Sequence, residues 1–243
     1  MEIIENKTVL ITGASSGIGL AIAKTLADNG YEVYGIGRNF DGEEASHHDC
    51  FHCVICDITD TDALKKCVDE IRRERRIDVL INNAGCAYYG LHEELNASKI
   101  KEIVRTDLEA PLILTQMLLR DMKAYRGSII NISSVTAVSR SNPHGAAYGA
   151  AKAGLLSFSG SIFEEARKHG VKVTSILPDM TDTYLYRNAD FEADDEAGAS
   201  LSPQDVADAV LFVLSRPEGV VIEELVIRPQ LHRIKRKKKN EFN

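Results

Sequence analysis

Apolar positions along the chain fall into two alternating patterns. Short runs dense in β-branched and other apolar residues read as buried strands: Lys7–Thr12 (KTVLIT), Tyr31–Ile36, Phe51–Cys56, Ile77–Asn82, Gly127–Ser133, Val171–Leu177 and a last run, Gly219–Ile227. Between them lie longer segments of helical spacing: Gly17–Asn29, stopped by Gly30; Asp60 to about Arg75; one long helix over roughly Ala97–Tyr125; Ala147–His169; and Pro203–Ser215, with Ser202 placed to cap it. Repeated strand–helix units of this length predict an α/β chain with a doubly wound, mainly seven-stranded parallel sheet and helices on both faces. No linker or internal repeat divides residues 1–243, so one domain is expected.

Composition narrows the setting. At 243 residues and 44% hydrophobic the chain can bury such a core, yet no apolar run approaches the roughly 20 residues that cross a bilayer. The opening MEIIENKTVL lacks the basic segment of a secretory signal, so a cytoplasmic location and no membrane partner are expected. Five cysteines, an odd number, do not suggest a disulfide framework. Charge is uneven: Arg228–Asn243 holds seven of 29 Lys+Arg and one of 36 Asp+Glu, leaving 22 against 35 in the remainder. An acidic body is a poor nucleic-acid surface. The basic tail reads as a solvated, frayed terminus, with an anionic-lipid or nucleic-acid patch as the other reading.

The candidate chemistry begins where the first strand ends, at TGASSGIG (Thr12–Gly19), which opens directly into a helix. Gly13, Gly17 and Gly19 permit a tight turn and close backbone approach, and the helix N-terminus offers free N–H groups to a pyrophosphate. The second strand ends Ile36-Gly37-Arg38, without the carboxylate that takes the ribose hydroxyls of NAD. Arg38 suits a 2′-phosphate, which favours NADP(H); the bland reading is a surface arginine. On the helix from Ala147, Tyr148 and Lys152 stand one turn apart on one face, and an ammonium there would lower the phenol's pKa toward acid–base use. Ser133 and Ser134 end the fifth strand, where a hydroxyl could hold a substrate carbonyl.

Together these motifs resemble the short-chain dehydrogenase/reductase family, essentially end to end: Thr12–Gly19 (TGxxxGxG), Asp57 after the third strand, Asn82–Gly85 (NNAG), Ser134, and Tyr148–Lys152 (YxxxK). The resemblance implies a Rossmann-like enzyme moving a hydride between nicotinamide and a small carbonyl or secondary alcohol. Tyr148 would be the general acid or base, Lys152 its tuning partner and a ribose contact, and Ser134 the oxygen-binding hydroxyl. Asp57 would meet the adenine. Ser15, Ser16 and Ile18 of the loop, Asn83, Ala84 and Gly85, and Pro178 and Thr183 after the sixth strand would line the cofactor cleft. The family commonly forms homodimers or homotetramers through its two long helices, here Ala97–Tyr125 and Ala147–His169. The C-terminal pattern is similar to the NADP-dependent hydroxy-acid and serine dehydrogenase subgroup, which suggests a 3-hydroxy or 3-oxo acid. A non-catalytic NADP-binding sensor on the same fold is the alternative.

Two departures stand out. The catalytic asparagine of the long helix is Asp107 here, and the Pro-Gly pair after the sixth strand is Pro178-Asp179, which puts that turn's geometry in question. Residues 181–200 occupy the place of a substrate lid, with Tyr184, Tyr186 and Arg187 as contacts and the acidic run as solvated surface. The loop before Tyr148 adds Arg140, Asn142 and His144; an arginine from either loop could take a substrate carboxylate, or simply be exposed. The stretch HHDCFHCVIC (His47–Cys56) looks rich in metal ligands, but its second half is extended chain. Cys50, Cys53 and Cys56 would then lie about 10 Å apart in steps, too far to share a metal or a disulfide. Cys53 and Cys56 are read as small buried hydrophobes and no metal site is expected, with His47, His48 and Cys50 left as a possible surface cluster.

Overall fold

The computed structural model describes residues 7–40 and 48–237. Its strands are β1 (Thr8–Thr12), β2 (Glu32–Gly37), β3 (Phe51–Ile55), β4 (Ile77–Asn82), β5 (Ser128–Ile132) and β6 (Lys172–Pro178), then β7 (Phe191–Ala193), β8 (Glu224–Ile227) and β9 (Ile234–Arg236). The apolar runs of the sequence become a seven-stranded parallel sheet in the order β3-β2-β1-β4-β5-β6-β8, a Rossmann-like arrangement. The order reverses between β1 and β4, which opens a crevice at their carboxyl ends.

Helices α1 (Gly17–Asp28) and α6 (Pro203–Leu214) cover one face, packing Ile22, Leu26, Val206 and Val210 onto Val9, Ile11 and Ile81. The other face receives α2 (Thr61–Glu74), α4 (Ala110–Tyr125) and α5 (Ala146–Ala166) through Leu64, Leu114, Leu118 and Phe163. Ser202 caps α6 as expected: its hydroxyl accepts from Asp205 N–H at 3.3 Å, while Asp205 accepts from Ser202 N–H at 2.7 Å.

Three expectations change. The long helix is α3 (Ala97–Val104), then one wide π turn at Arg105–Glu109 leading into α4. The last apolar run is strand only over Glu224–Ile227. Residues 228–237 are not a frayed tail, because β9 pairs antiparallel with β7 in the lid region, Phe191 opposite Arg236 and Ala193 opposite Ile234; the rest of the basic tail, 238–243, lies outside the described residues.

Phe51–Ile55 of the HHDCFHCVIC stretch form β3, an edge strand with one face open: Cys56, just beyond it, is buried, but Cys53 is exposed rather than buried. Histidines of the stretch find carboxylates, His48 at 3.3 Å from Asp28 and His52 at 2.5 Å from Glu32. His47 lies outside the described residues, and among those described no three His, Cys, Asp or Glu side chains gather to hold a metal. No helix among them is long and apolar enough to cross a membrane.

Candidate active site

The crevice is a cleft of about 380 Å³. Its floor is set where β1 meets β4. Thr12 Oγ1 accepts from the backbone N–H of Asn83 and of Ala84, each at 3.1 Å, and Asn83 Nδ2 donates back to the Thr12 carbonyl at 2.9 Å. These bonds tie the NNAG stretch to the glycine loop. Gly13 turns with φ +69°, a left-handed conformation that favours glycine, and a Cβ on Gly19 would lie 2.1 Å from the Gly13 carbonyl oxygen. Ser16 N-caps α1 without a side-chain bond, so N–H groups of the first turn are left for another acceptor. Ser15, Ser16, Gly17, Ile18 and Gly19 all line the cleft.

Strand order separates the two ends. Beyond β2 and β3 stand Arg38, which is exposed, and Asp57. The Asp57 carboxylate accepts from Thr59 N–H at 2.9 Å and from its hydroxyl at 2.8 Å. The backbone bond, more than any other influence, holds that carboxyl below its ordinary pKa.

Beyond β5 and β6 stands the constellation on α5. Tyr148 and Lys152 are both buried, with the ammonium 5.7 Å from the phenol ring centroid. Lys152 Nζ donates to the Ile132 carbonyl at 3.0 Å and pairs with Asp107 Oδ1 at 3.1 Å. Of the serine pair, Ser133 donates to the Lys152 carbonyl at 3.1 Å and braces the helix, while Ser134 bonds to Tyr148. The Tyr148 pKa is pushed well above its ordinary value, first by burial, then by Tyr89, Asp107 and Tyr186, with the Ser134 bond opposing. At neutral pH this phenol is therefore an acid.

Asp107 does not line the cleft. It is fully buried in the π turn behind Lys152, accepting from Cys86 N–H at 3.0 Å through its other oxygen. Burial raises its carboxyl pKa, against the pull of the Lys152 ammonium. Gly85 is hemmed in by this pair: a Cβ there would stand 2.8 Å from Asp107 Oδ1.

The Pro178-Asp179 departure needs no special backbone, since the non-glycine residues of positive φ among those described are Arg126, His144 and His232. Asp179 instead uses its side chain. Its buried carboxylate accepts from Arg228 at 2.9 Å, meets His232 at 3.1 Å, and accepts from Met180 N–H at 2.8 Å. Thr183 faces Gly17 across the cleft, where a Gly17 Cβ would be 3.3 Å from the Thr183 methyl.

Tyr184, Tyr186 and Arg187 line the cleft, whereas Arg140, Asn142 and His144 do not. Asn142 closes its own turn on the Gly145 carbonyl at 2.8 Å. Sequence reasoning missed the aromatic wall behind Tyr186: Tyr89 stacks on it at 5.9 Å, Phe191 meets Tyr89 edge-on at 5.1 Å, and Tyr89 lies 6.3 Å from Tyr148. The aromatic pair following NNAG was the available signal for Tyr89. It also missed Glu102 and Thr106, which line the cleft from α3 and the π turn.

Residues 7–193 match the family model described as short chain dehydrogenase. The chain is 34% identical over 235 residues to a serine 3-dehydrogenase of Agrobacterium fabrum, covering 91% of this chain and 93% of that one. Among solved structures it is similar to an alcohol dehydrogenase from the archaeon Thermococcus sibiricus complexed with 5-hydroxy-NADP, with TM-score 0.85, 26% identity, and 94% and 99% of the two chains covered. It is also similar to a 3-ketoacyl-(acyl-carrier-protein) reductase from Brucella melitensis complexed with NADH, with TM-score 0.82, 25% identity, and 94% and 99% covered.

Proposed function

Because the chain belongs to the short-chain dehydrogenase/reductase family of oxidoreductases, we propose that it is an NADP(H)-dependent alcohol dehydrogenase or carbonyl reductase. Its substrates are small carbonyls or secondary alcohols, with 3-hydroxy and 3-oxo acids the first class to test. One observation carries the reading: Ser134, Tyr148 and Lys152 converge at one end of a cleft whose other half is the glycine loop.

The residues present fit a dinucleotide. The loop is stripped of Cβ atoms at Gly13 and Gly19, and the first turn of α1 keeps free N–H groups for a pyrophosphate. Asp57, Asn83, Ala84, Gly85, Pro178 and Thr183 line the remainder of its bed. Arg38, standing where a carboxylate would select NAD, favours the 2′-phosphate of NADP. Bound nicotinamide supplies the hydride. Ser134 orients the substrate oxygen, and Tyr148 delivers the proton to it in reduction or removes it in oxidation. Lys152, anchored by Ile132 and Asp107, holds its ammonium 5.7 Å from the phenol ring centroid, beside the cofactor bed. With its pKa raised, Tyr148 holds its proton at neutral pH, the form that reduction uses.

The protein acts in the cytoplasm as a homodimer or homotetramer assembled through the two long helical segments, 97–125 and 147–169. An NADPH-oxidation screen with 3-oxo acids, ketones, aldehydes, quinones and steroids, repeated with NADH, tests the proposal. Turnover with NADPH that vanishes in Tyr148→Phe is the expected result. NADPH binding without turnover of any carbonyl would instead establish a sensor, and preference for NADH would overturn the cofactor assignment.

A further inference from the structure

Two features left unassigned by the sequence, the acidic run of the lid and the basic C-terminal stretch, meet in the fold. Asp190–Glu196 carries five carboxylates in seven residues, and Arg228–Lys237 carries five Lys or Arg with His232 among them. Arg233 pairs with Glu196, and Lys235 reaches Asp195 at 2.5 Å and Glu192 at 3.6 Å. Backbone bonds run beside these pairs: Asp194 N–H to Arg233 O at 3.1 Å, Arg233 N–H to Ala199 O at 3.0 Å, and Lys237 N–H to Asp190 O at 2.9 Å. Lys237 Nζ donates to the carbonyls of Tyr186 at 2.8 Å and Arg187 at 3.3 Å, two of the lid residues that line the cleft. At the other end of the stretch Arg228 and His232 close on Asp179, also in the cleft wall.

We propose that Arg228–Lys237 is a clasp that holds the lid shut over the Tyr148 end of the cleft, making Arg233 and Lys237 positioning residues for the substrate wall of Tyr186 and Arg187. Each exposed ion pair contributes little by itself. The backbone ladder between β7 and β9 is what turns the lid from a self-repelling loop into a ribbon of fixed register. The charges select that register and neutralise the acidic run. The part of this proposal that concerns substrate rests on the oxidoreductase reading; the clasp does not.

The test uses the full chain with Arg233→Glu, the reciprocal swap Arg233→Glu/Glu196→Arg, and Lys237→Met beside Lys237→Arg. Amide hydrogen exchange over residues 184–196 is expected to quicken about three- to tenfold in Arg233→Glu and Lys237→Met, and to return toward wild type in the swap and in Lys237→Arg. Exchange in β1 and β4, and NADPH affinity by fluorescence, should stay unchanged. KM for the best carbonyl of the screen should rise several-fold, with kcat within about twofold. Unaltered lid exchange, or quickened exchange that neither the swap nor Lys237→Arg corrects, overturns the clasp. A loosened lid with KM unmoved overturns its role in positioning substrate. A wild-type chain that turns over nothing defeats the oxidoreductase reading alone, because exchange still decides the clasp.

Discussion

Replacing Asp107 by Asn isolates one charge in the proposed catalytic constellation. The carboxylate lies 3.1 Å from Lys152 Nζ, which is itself 5.7 Å from the Tyr148 ring centroid, so the charge stands within about 9 Å of the ring. At an effective dielectric constant of about 20, unit charges that far apart interact by about 2 kcal/mol, on the order of one pH unit. The sign follows from the protonation each direction needs. In the proposed reaction, reduction requires the phenol and is lost as pH rises through the Tyr148 pKa; oxidation requires the phenolate and appears over the same range. Asp107 is among the groups that raise that pKa, so its removal moves both limbs toward acid. Asn keeps a carbonyl oxygen for the ammonium, so the buried Lys152 is not left bare. The assay is kcat/KM against pH in both proteins, read chiefly on the rising oxidation limb below the Tyr148 pKa, with reduction followed as far into alkali as the fold persists. An acid shift of about one unit is expected. Superimposable profiles would refute the reasoning, since they would mean that Asp107 carries no charge beside Lys152.

Tyr148→Phe should lower kcat by roughly a hundred- to ten-thousandfold while NADPH fluorescence titrations stay near wild type, the signature of a lost proton donor. Arg38→Leu should weaken NADPH relative to NADH by about ten- to a hundredfold in kcat/KM, as loss of a charge-assisted contact predicts. Gly19→Ala, which drives a methyl to 2.1 Å from the Gly13 carbonyl, should abolish NADPH binding or the fold itself, as circular dichroism beside the titration would separate.

The fold was legible in the sequence because its signals are local. Seven apolar runs separated by helical segments predict a parallel sheet, and five of its strands lie within a run read from the pattern alone, while β2 and β6 each extend one residue past theirs, to Gly37 and Pro178. The glycine loop and the Tyr148–Lys152 pair were equally legible, since turn geometry and helical spacing are properties of a few adjacent residues. Boundaries failed where packing decided them. Nothing in the pattern of the long helix marks the π turn at Arg105–Glu109, and the exposure of Cys53 follows from β3 standing at the sheet edge.

By itself, then, the sequence determined the order of the parallel strands and the helices that cover them, the glycine loop, and the Tyr148–Lys152 pair on one helical face. Only the tertiary structure decided what surrounds them. It set Asp107 against Lys152 rather than in the cleft, supplied Asp179 with Arg228 and His232 where a glycine was expected, and joined the acidic lid to the basic C-terminal stretch. Each of these joins charges far apart in the chain. Whether a buried charge is stable, and what it does to a neighbour's proton, depends on distances and burial that only the folded chain defines.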